Sequence, residues 1–99
     1  MSAKRNEPLR ITESSAVLSN AASTVLLAAN PRRLYAEIIN SSDVGIWLSL
    51  SGTAVIGQGI YLGPNGFSYV INFDLLWKGQ VSGIAASGAG KVAGIIEGQ

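Results

Sequence analysis

The stretch LYAEIINSSDVGIWLSL, residues 34–50, decides the fold. Its apolar residues return at every second position on both sides of a short polar break. Leu34, Ala36 and Ile38 fall on one side of an extended chain, with Tyr35, Glu37 and Ile39 on the other. After Ser41, Ser42 and Asp43 the alternation resumes, with Val44, Ile46, Leu48 and Leu50 on one side and Trp47 and Ser49 opposite. A period of two predicts strands, and the turn-forming break between them predicts a hairpin.

The same grammar extends outward. Residues 23–29, STVLLAA, form an apolar run that stops at Asn30-Pro31, a strong turn signal. Ile60 and Leu62 begin a short strand that ends at Gly63-Pro64-Asn65-Gly66, and Phe67, Tyr69, Ile71 and Phe73 then alternate on one face. Residues 80–87 and 91–97 read as two Gly/Ala-rich strands around Gly88-Ala89-Gly90, predicting a second hairpin. Residues 14–22 are the ambiguous stretch and admit one helical turn. Seven or eight short strands with regular turn signals predict an all-β domain over residues 11–99. Its architecture is a small antiparallel β-sandwich or a jelly-roll-like barrel. Residues 1–10, MSAKRNEPLR, are polar and read as an extended N-terminal arm, either frayed or ordered by docking on a partner.

Composition narrows the function. With 99 residues there is room for one core. Apolar residues make up 47% of the chain and charged residues 13%, against about 25% in an ordinary globular domain. So few charges cannot cover the surface of a small monomer. This predicts burial against other chains, where charge is depleted. No apolar run approaches the ~20 residues of a membrane-spanning helix, so no membrane association is expected. The first ten residues lack the apolar block of a secretory signal. A net charge of +1 with scattered basic residues gives no expectation of nucleic-acid binding. The chain has no Cys and no His, which removes disulfides, thiolates, imidazole ligands and His-dependent triads. The absence of Cys fits synthesis in a reducing cytoplasm.

No catalytic constellation survives inspection. Gly57-Gln58-Gly59-Ile60-Tyr61-Leu62-Gly63 is one residue off the dinucleotide fingerprint, and no helix follows to hold a pyrophosphate. Gly88-Ala89-Gly90-Lys91 lacks both the first glycine and the Ser/Thr of a phosphate loop. Both read as turns. The carboxylates Glu37, Asp43, Asp74 and Glu97 lie on separate elements, and the serines have only Lys78 and Lys91 as conceivable bases. The expectation is a protein that is not an enzyme and needs no cofactor, metal or small-molecule substrate. The aromatics point instead to surfaces. Tyr35 and Trp47 lie opposite the aliphatic stripes of their strands, so on an open hairpin they form one exposed patch, a partner surface or a platform for a sugar ring. Trp77, between Leu76 and Lys78, is either a core plug or an interface anchor.

The motifs also carry a resemblance. The turn Ala29-Asn30-Pro31-Arg32-Arg33, the strand ending in Asn40-Ser41-Ser42, the later Gly59-Ile60-Tyr61-Leu62-Gly63-Pro64 and the closing GQVSGIAASGAGKVAGIIEG resemble small β-sandwich structural proteins of tailed bacteriophages. The likeness covers about residues 24–98. It implies a virion protein on the capsid surface, made in the host cytoplasm. The implied role is head decoration, a cement protein that bridges major capsid protein subunits as a homo-oligomer, in the first instance a trimer. A head-fibre or tail-associated adhesin that binds a host glycan or receptor is the alternative. No family active site comes with the resemblance. The arm would clamp a neighbouring subunit through Pro8, Leu9 and Ile11, since ordering ten residues costs on the order of 10 kcal/mol and requires real burial.

Overall fold

The computed structural model describes residues 10–72 and 75–99. It contains eight strands and, among these residues, no helix. They are β1 (Ile11–Leu18), β2 (Thr24–Leu27), β3 (Tyr35–Asn40), β4 (Ile46–Ser49), β5 (Ile60–Leu62), β6 (Ser68–Ile71), β7 (Val81–Ala85) and β8 (Lys91–Gly98). The ambiguous stretch at residues 14–22 begins as β1 rather than as a helical turn. Its Ser15, Ala16 and Val17 pair along β8.

Two four-stranded antiparallel sheets pack face to face, with orders β1-β8-β3-β6 and β2-β7-β4-β5. The pairs β1:β8, β2:β7, β3:β6 and β4:β5 run from the two ends of the chain to its middle. The chain is therefore one long antiparallel ribbon, folded at its tip between β4 and β5 and rolled up so that successive rungs alternate between sheets. This is the double Greek key of a jelly roll.

The rolled ribbon corrects both hairpin expectations. β3 and β4 do not pair: β3 lies between β8 and β6 in the first sheet, and β4 between β7 and β5 in the second. Likewise β7 and β8 belong to different sheets. The polar breaks at residues 41–45 and 86–90 are corners between sheets, not hairpin turns. Among the described residues, only β4 and β5 form a hairpin between successive strands.

The faces match the alternation. Ala36 and Ile38 of β3 and Ile46 and Leu48 of β4 are completely buried, with Leu18, Leu27, Leu62, Ile71, Val81, Ala85, Ala93 and Ile95 around them. Gly83 of β7 sits against Leu26 and Leu18, so a Cβ there would press on both. The small residues of β7 let the sheets approach closely.

Each corner brings together two connections, one from each arm of the ribbon. Two of the corners are locked by a single buried polar side chain. At the first, the β2–β3 connection lies beside the β6–β7 connection, and the Asn30 amide donates to the Lys78 carbonyl at 2.8 Å. Arg33, with no exposed surface, fills the space between them. Its Nε donates to Glu97 at 2.8 Å, Nη1 to the carbonyls of Trp77 and Gly79 at 2.9 Å each, and Nη2 to the carbonyl of Ala28 at 2.7 Å. Asn30 caps its own turn by accepting from the Arg32 amide at 3.0 Å. At the second corner, Asn40 is equally buried. Its Nδ2 faces the carbonyls of Val44, Leu62 and Gly63 at 2.8–3.0 Å, and its Oδ1 accepts from the amide and hydroxyl of Ser42. Where the chain leaves one sheet for the other its backbone groups lose their ladder partners. These two side chains replace the missing partners.

Candidate functional site

The outer faces of the sandwich are where this chain meets its surroundings. On the first sheet the inward residues have even numbers in β1 and β3, so the odd ones point out. The register then sets out the outer face row by row. Val17 lies beside Val92, then Ser15 beside Gly94, Ile39 and Ser68. The next row is Glu13, Ile96, Glu37 and Val70, and the last is Ile11, Gly98 and Tyr35. Ile39 leans across Gly94, whose missing side chain leaves it room. This face carries six large aliphatic side chains, two carboxylates, Tyr35, two serines and two glycines. Val17 is 63% exposed, Ile11 52%, Val92 39% and Val70 38%, an unusual density of open aliphatic surface on one sheet.

The second sheet presents a different chemistry. Val25, Ser82 and Ser49 form one outer row, and Ile84, Trp47 and Tyr61 the next, with Ser82 and Ile84 of the central strand β7 buried beneath their neighbours. The β4–β5 loop folds back toward the start of β2, where the buried Ala54 donates its amide to the Ser23 hydroxyl at 2.9 Å. Trp47 and Tyr61 have ring centroids 4.9 Å apart at 54°, and the Tyr61 ring fills the space over Gly45. One rung along from Trp47, a shallow depression of about 120 Å³ is lined by Ser49, Ser51, Thr53, Val55, Gln58 and Gly59. Every residue from 44 to 72 is uncharged, so around the depression the loop offers the hydroxyls of Ser49, Ser51 and Thr53 and the Gln58 amide, beside the exposed aliphatic side chains of Val55 and Ile56.

The residues singled out in the sequence are dispersed. Tyr35 and Trp47 lie on the outer faces of opposite sheets and cannot form one patch, because the β3–β4 connection crosses between sheets. Tyr35 donates to Glu37 at 3.0 Å, and that bond raises its pKa above the usual phenol value. Trp47 takes Tyr61 as its partner instead. Trp77 packs against the core with Gly79 under its ring, and its Nε1 donates to the Gln80 carbonyl at 3.0 Å. Ile11 opens β1 on the outer face, opposite Gly98. Pro8 and Leu9 lie outside the described residues.

The carboxylates take separate partners. Glu97 holds Arg33, Glu37 accepts from Tyr35, and Asp43 pairs with Lys91 at 2.8 Å, which lowers the Asp43 pKa through that hydrogen bond. Asp74 lies outside the described residues. Among the described residues no three His, Cys, Asp or Glu side chains gather to ligate a metal. Of the two glycine-rich stretches, the first runs from a turn at Gly57–Gly59 into β5 and the second is the β7–β8 corner, with Gly57, Gly59, Gly88 and Gly90 all at positive φ.

Arg33 and Asn40 were the residues that sequence reading passed over. For Asn40 a signal existed, since it shares the parity of the buried Ala36 and Ile38 and so predicts an inward polar group. Arg33 carried none, as it precedes the strand in a turn. Compared with known proteins, the chain matches no family model, no curated protein and no solved structure.

Proposed function

We propose that this chain is a capsid decoration protein that stabilises a bacteriophage head by bridging major capsid protein subunits, working by binding alone. The observation that carries the reading is the aliphatic outer face of the first sheet, in a chain with few charges. A face that would be solvated in an ordinary monomer is built here like an interface core. The likeness to phage structural proteins rests on the motifs quoted above. The jelly roll itself serves many functions and adds no weight to any one of them. The proposed assembly is a homo-oligomer, a trimer at local three-fold positions, with the N-terminal arm laid on a neighbouring subunit.

The test is to mix the purified protein with expanded heads of the phage that encodes it and measure the bound fraction. Val70→Lys and Val92→Lys change exposed positions, so the fold should lose no more than about 0.5 kcal/mol. Head binding should fall at least about tenfold, because each variant places an unpaired charge in an apolar contact. Unchanged binding by both variants would sink the proposal.

A second reading is favoured by a separate observation, the aromatic pair beside the hydroxyl-lined depression on the second sheet. An adhesin for a neutral saccharide would stack a sugar ring on Trp47 and meet its hydroxyls with Ser49, Thr53 and Gln58. In that case Trp47→Ala abolishes binding to an array of neutral glycans and leaves head association intact. An array with no bound glycan for the parent chain removes this reading.

A further inference from the structure

We infer that β1 is a docking edge for the β1 of a second copy, forming a two-fold antiparallel pair that joins two sandwiches into one continuous eight-stranded sheet. The inference goes beyond the decoration role and does not depend on it.

The hydrogen-bond phase of β1 follows from its first rung. Arg10 and Gln99 exchange both backbone bonds, at 2.8 and 3.0 Å. In an antiparallel pair such doubly bonded rungs recur at every second residue. Thr12, Ser14, Ala16 and Leu18 therefore direct their backbone groups at β8. The intervening residues, Ile11, Glu13, Ser15 and Val17, direct theirs away from it. The phase is confirmed from the far side of β8, where the Gly98 carbonyl, opposite Ile11, accepts from Leu34 rather than from β1. Among the described residues β1 pairs with β8 alone and is the outermost strand of its sheet. The strand runs eight residues in continuous register with β8. It contains no proline and no bulge, and Glu13 is its single charge, so among the described residues one carboxylate is all that blunts this edge.

Register selects the partner. A two-fold pairing centred on Ser14 sets Ile11 against Val17 of the second copy and Glu13 against Ser15, and reciprocally. All four outward residues then exchange bonds, and aliphatic meets aliphatic. Centring the pair on Glu13 would oppose two carboxylates, which is unfavourable. Centring it on Ser15 would leave Ile11 beyond the end of the partner strand. The Ser14-centred pair is thus self-complementary, as an isologous contact must be. It also brings Ile11 and Val17 of both copies together, extending the aliphatic outer face. Because the contact is two-fold, it closes a dimer or links neighbouring oligomers, and it is separate from any three-fold contact.

Two measurements on the full chain test the pairing. In the Ser14-centred register the two Ser14 residues form a non-bonded rung with Cα atoms about 4.5 Å apart, inside disulfide range. Ser14 is exposed, so Ser14→Cys leaves the core untouched. Under mild oxidation Ser14→Cys should yield a covalent dimer as its main product. Ser87→Cys, at an exposed position in the β7–β8 connection, should stay largely uncrosslinked. In the unmodified protein, the amides of Ile11, Glu13, Ser15 and Val17 should exchange with deuterium at least about tenfold more slowly at high than at low protein concentration. Equal cross-linking of the two cysteine variants, or exchange at those four amides independent of concentration, would overturn the inference.

Discussion

Arg33→Ala should cost the domain about 4 kcal/mol, the loss expected when one partner of a buried charge pair is removed. Against a total of about 5–15 kcal/mol for a domain of this kind, that brings the folded state to the edge of collapse. The reason lies in the partners left behind. Three carbonyls, from Ala28, Trp77 and Gly79, lose their donor around a side chain that has no exposed surface, and Glu97 loses its cation. Arg33→Lys should recover little, since an ammonium has no planar fork with which to reach three carbonyls on two connections and a carboxylate at once. Glu97→Gln should be the mildest of the three, because Glu97 keeps 21% of its side chain in solvent and an amide oxygen can still accept from Nε. Urea titration monitored by the fluorescence of Trp47 and Trp77 together checks the order. A loss below about 1 kcal/mol for Arg33→Ala would mean that water replaces the guanidinium and that the corner is not closed.

Asn40→Leu should lose about 3 kcal/mol, for a related reason. Its amide supplies donors to one corner and an acceptor to Ser42, so an isosteric apolar side chain orphans groups on both sides. Asn40→Asp separates the two halves of that role. The carboxylate keeps the acceptor for Ser42 but points an anion at three carbonyls, which should raise its folded pKa above the unfolded value. Stability linked to such a group is present in acid and is lost as pH rises through the folded pKa. Asn40→Asp should therefore be less destabilised in mild acid than at neutral pH, the reverse of an ordinary acid-sensitive carboxylate. Ser42→Ala, which removes only the hydroxyl, should cost about 1 kcal/mol. Equal stability of Asn40→Asp across that range would show that the amide donors carry none of the corner.

Both predictions concern residues whose importance is spatial. Arg33 sits five residues from Ala28 but 44 from Trp77 and 64 from Glu97, and no local pattern relates those positions. The same holds for the surface. Trp47 was legible as an outward aromatic, because it alternates with Ile46 and Leu48. Its partner Tyr61 was not, because the pairing depends on how the ribbon tip returns. Tyr35 and Trp47 belonged together only if residues 34–50 were a hairpin. A polar break of a few residues serves a hairpin turn and a sheet-to-sheet corner equally well, and the local chain cannot tell them apart.

The sequence by itself determined that residues 34–50 are two strands and which side chains of each face the core. It did so because period-two alternation is a property of a single extended segment and needs no knowledge of neighbours. It also determined the lack of His and Cys chemistry and the shortage of charge that leads to the surface reading. Only the tertiary structure decided that those two strands lie in different sheets. Strand pairing links distant residues, such as Ile11 with Gly98, and it is set by closing the ribbon rather than by local preference. That closure divided one expected aromatic patch between two outer faces, with Tyr35 on the first sheet and the Trp47–Tyr61 pair on the second.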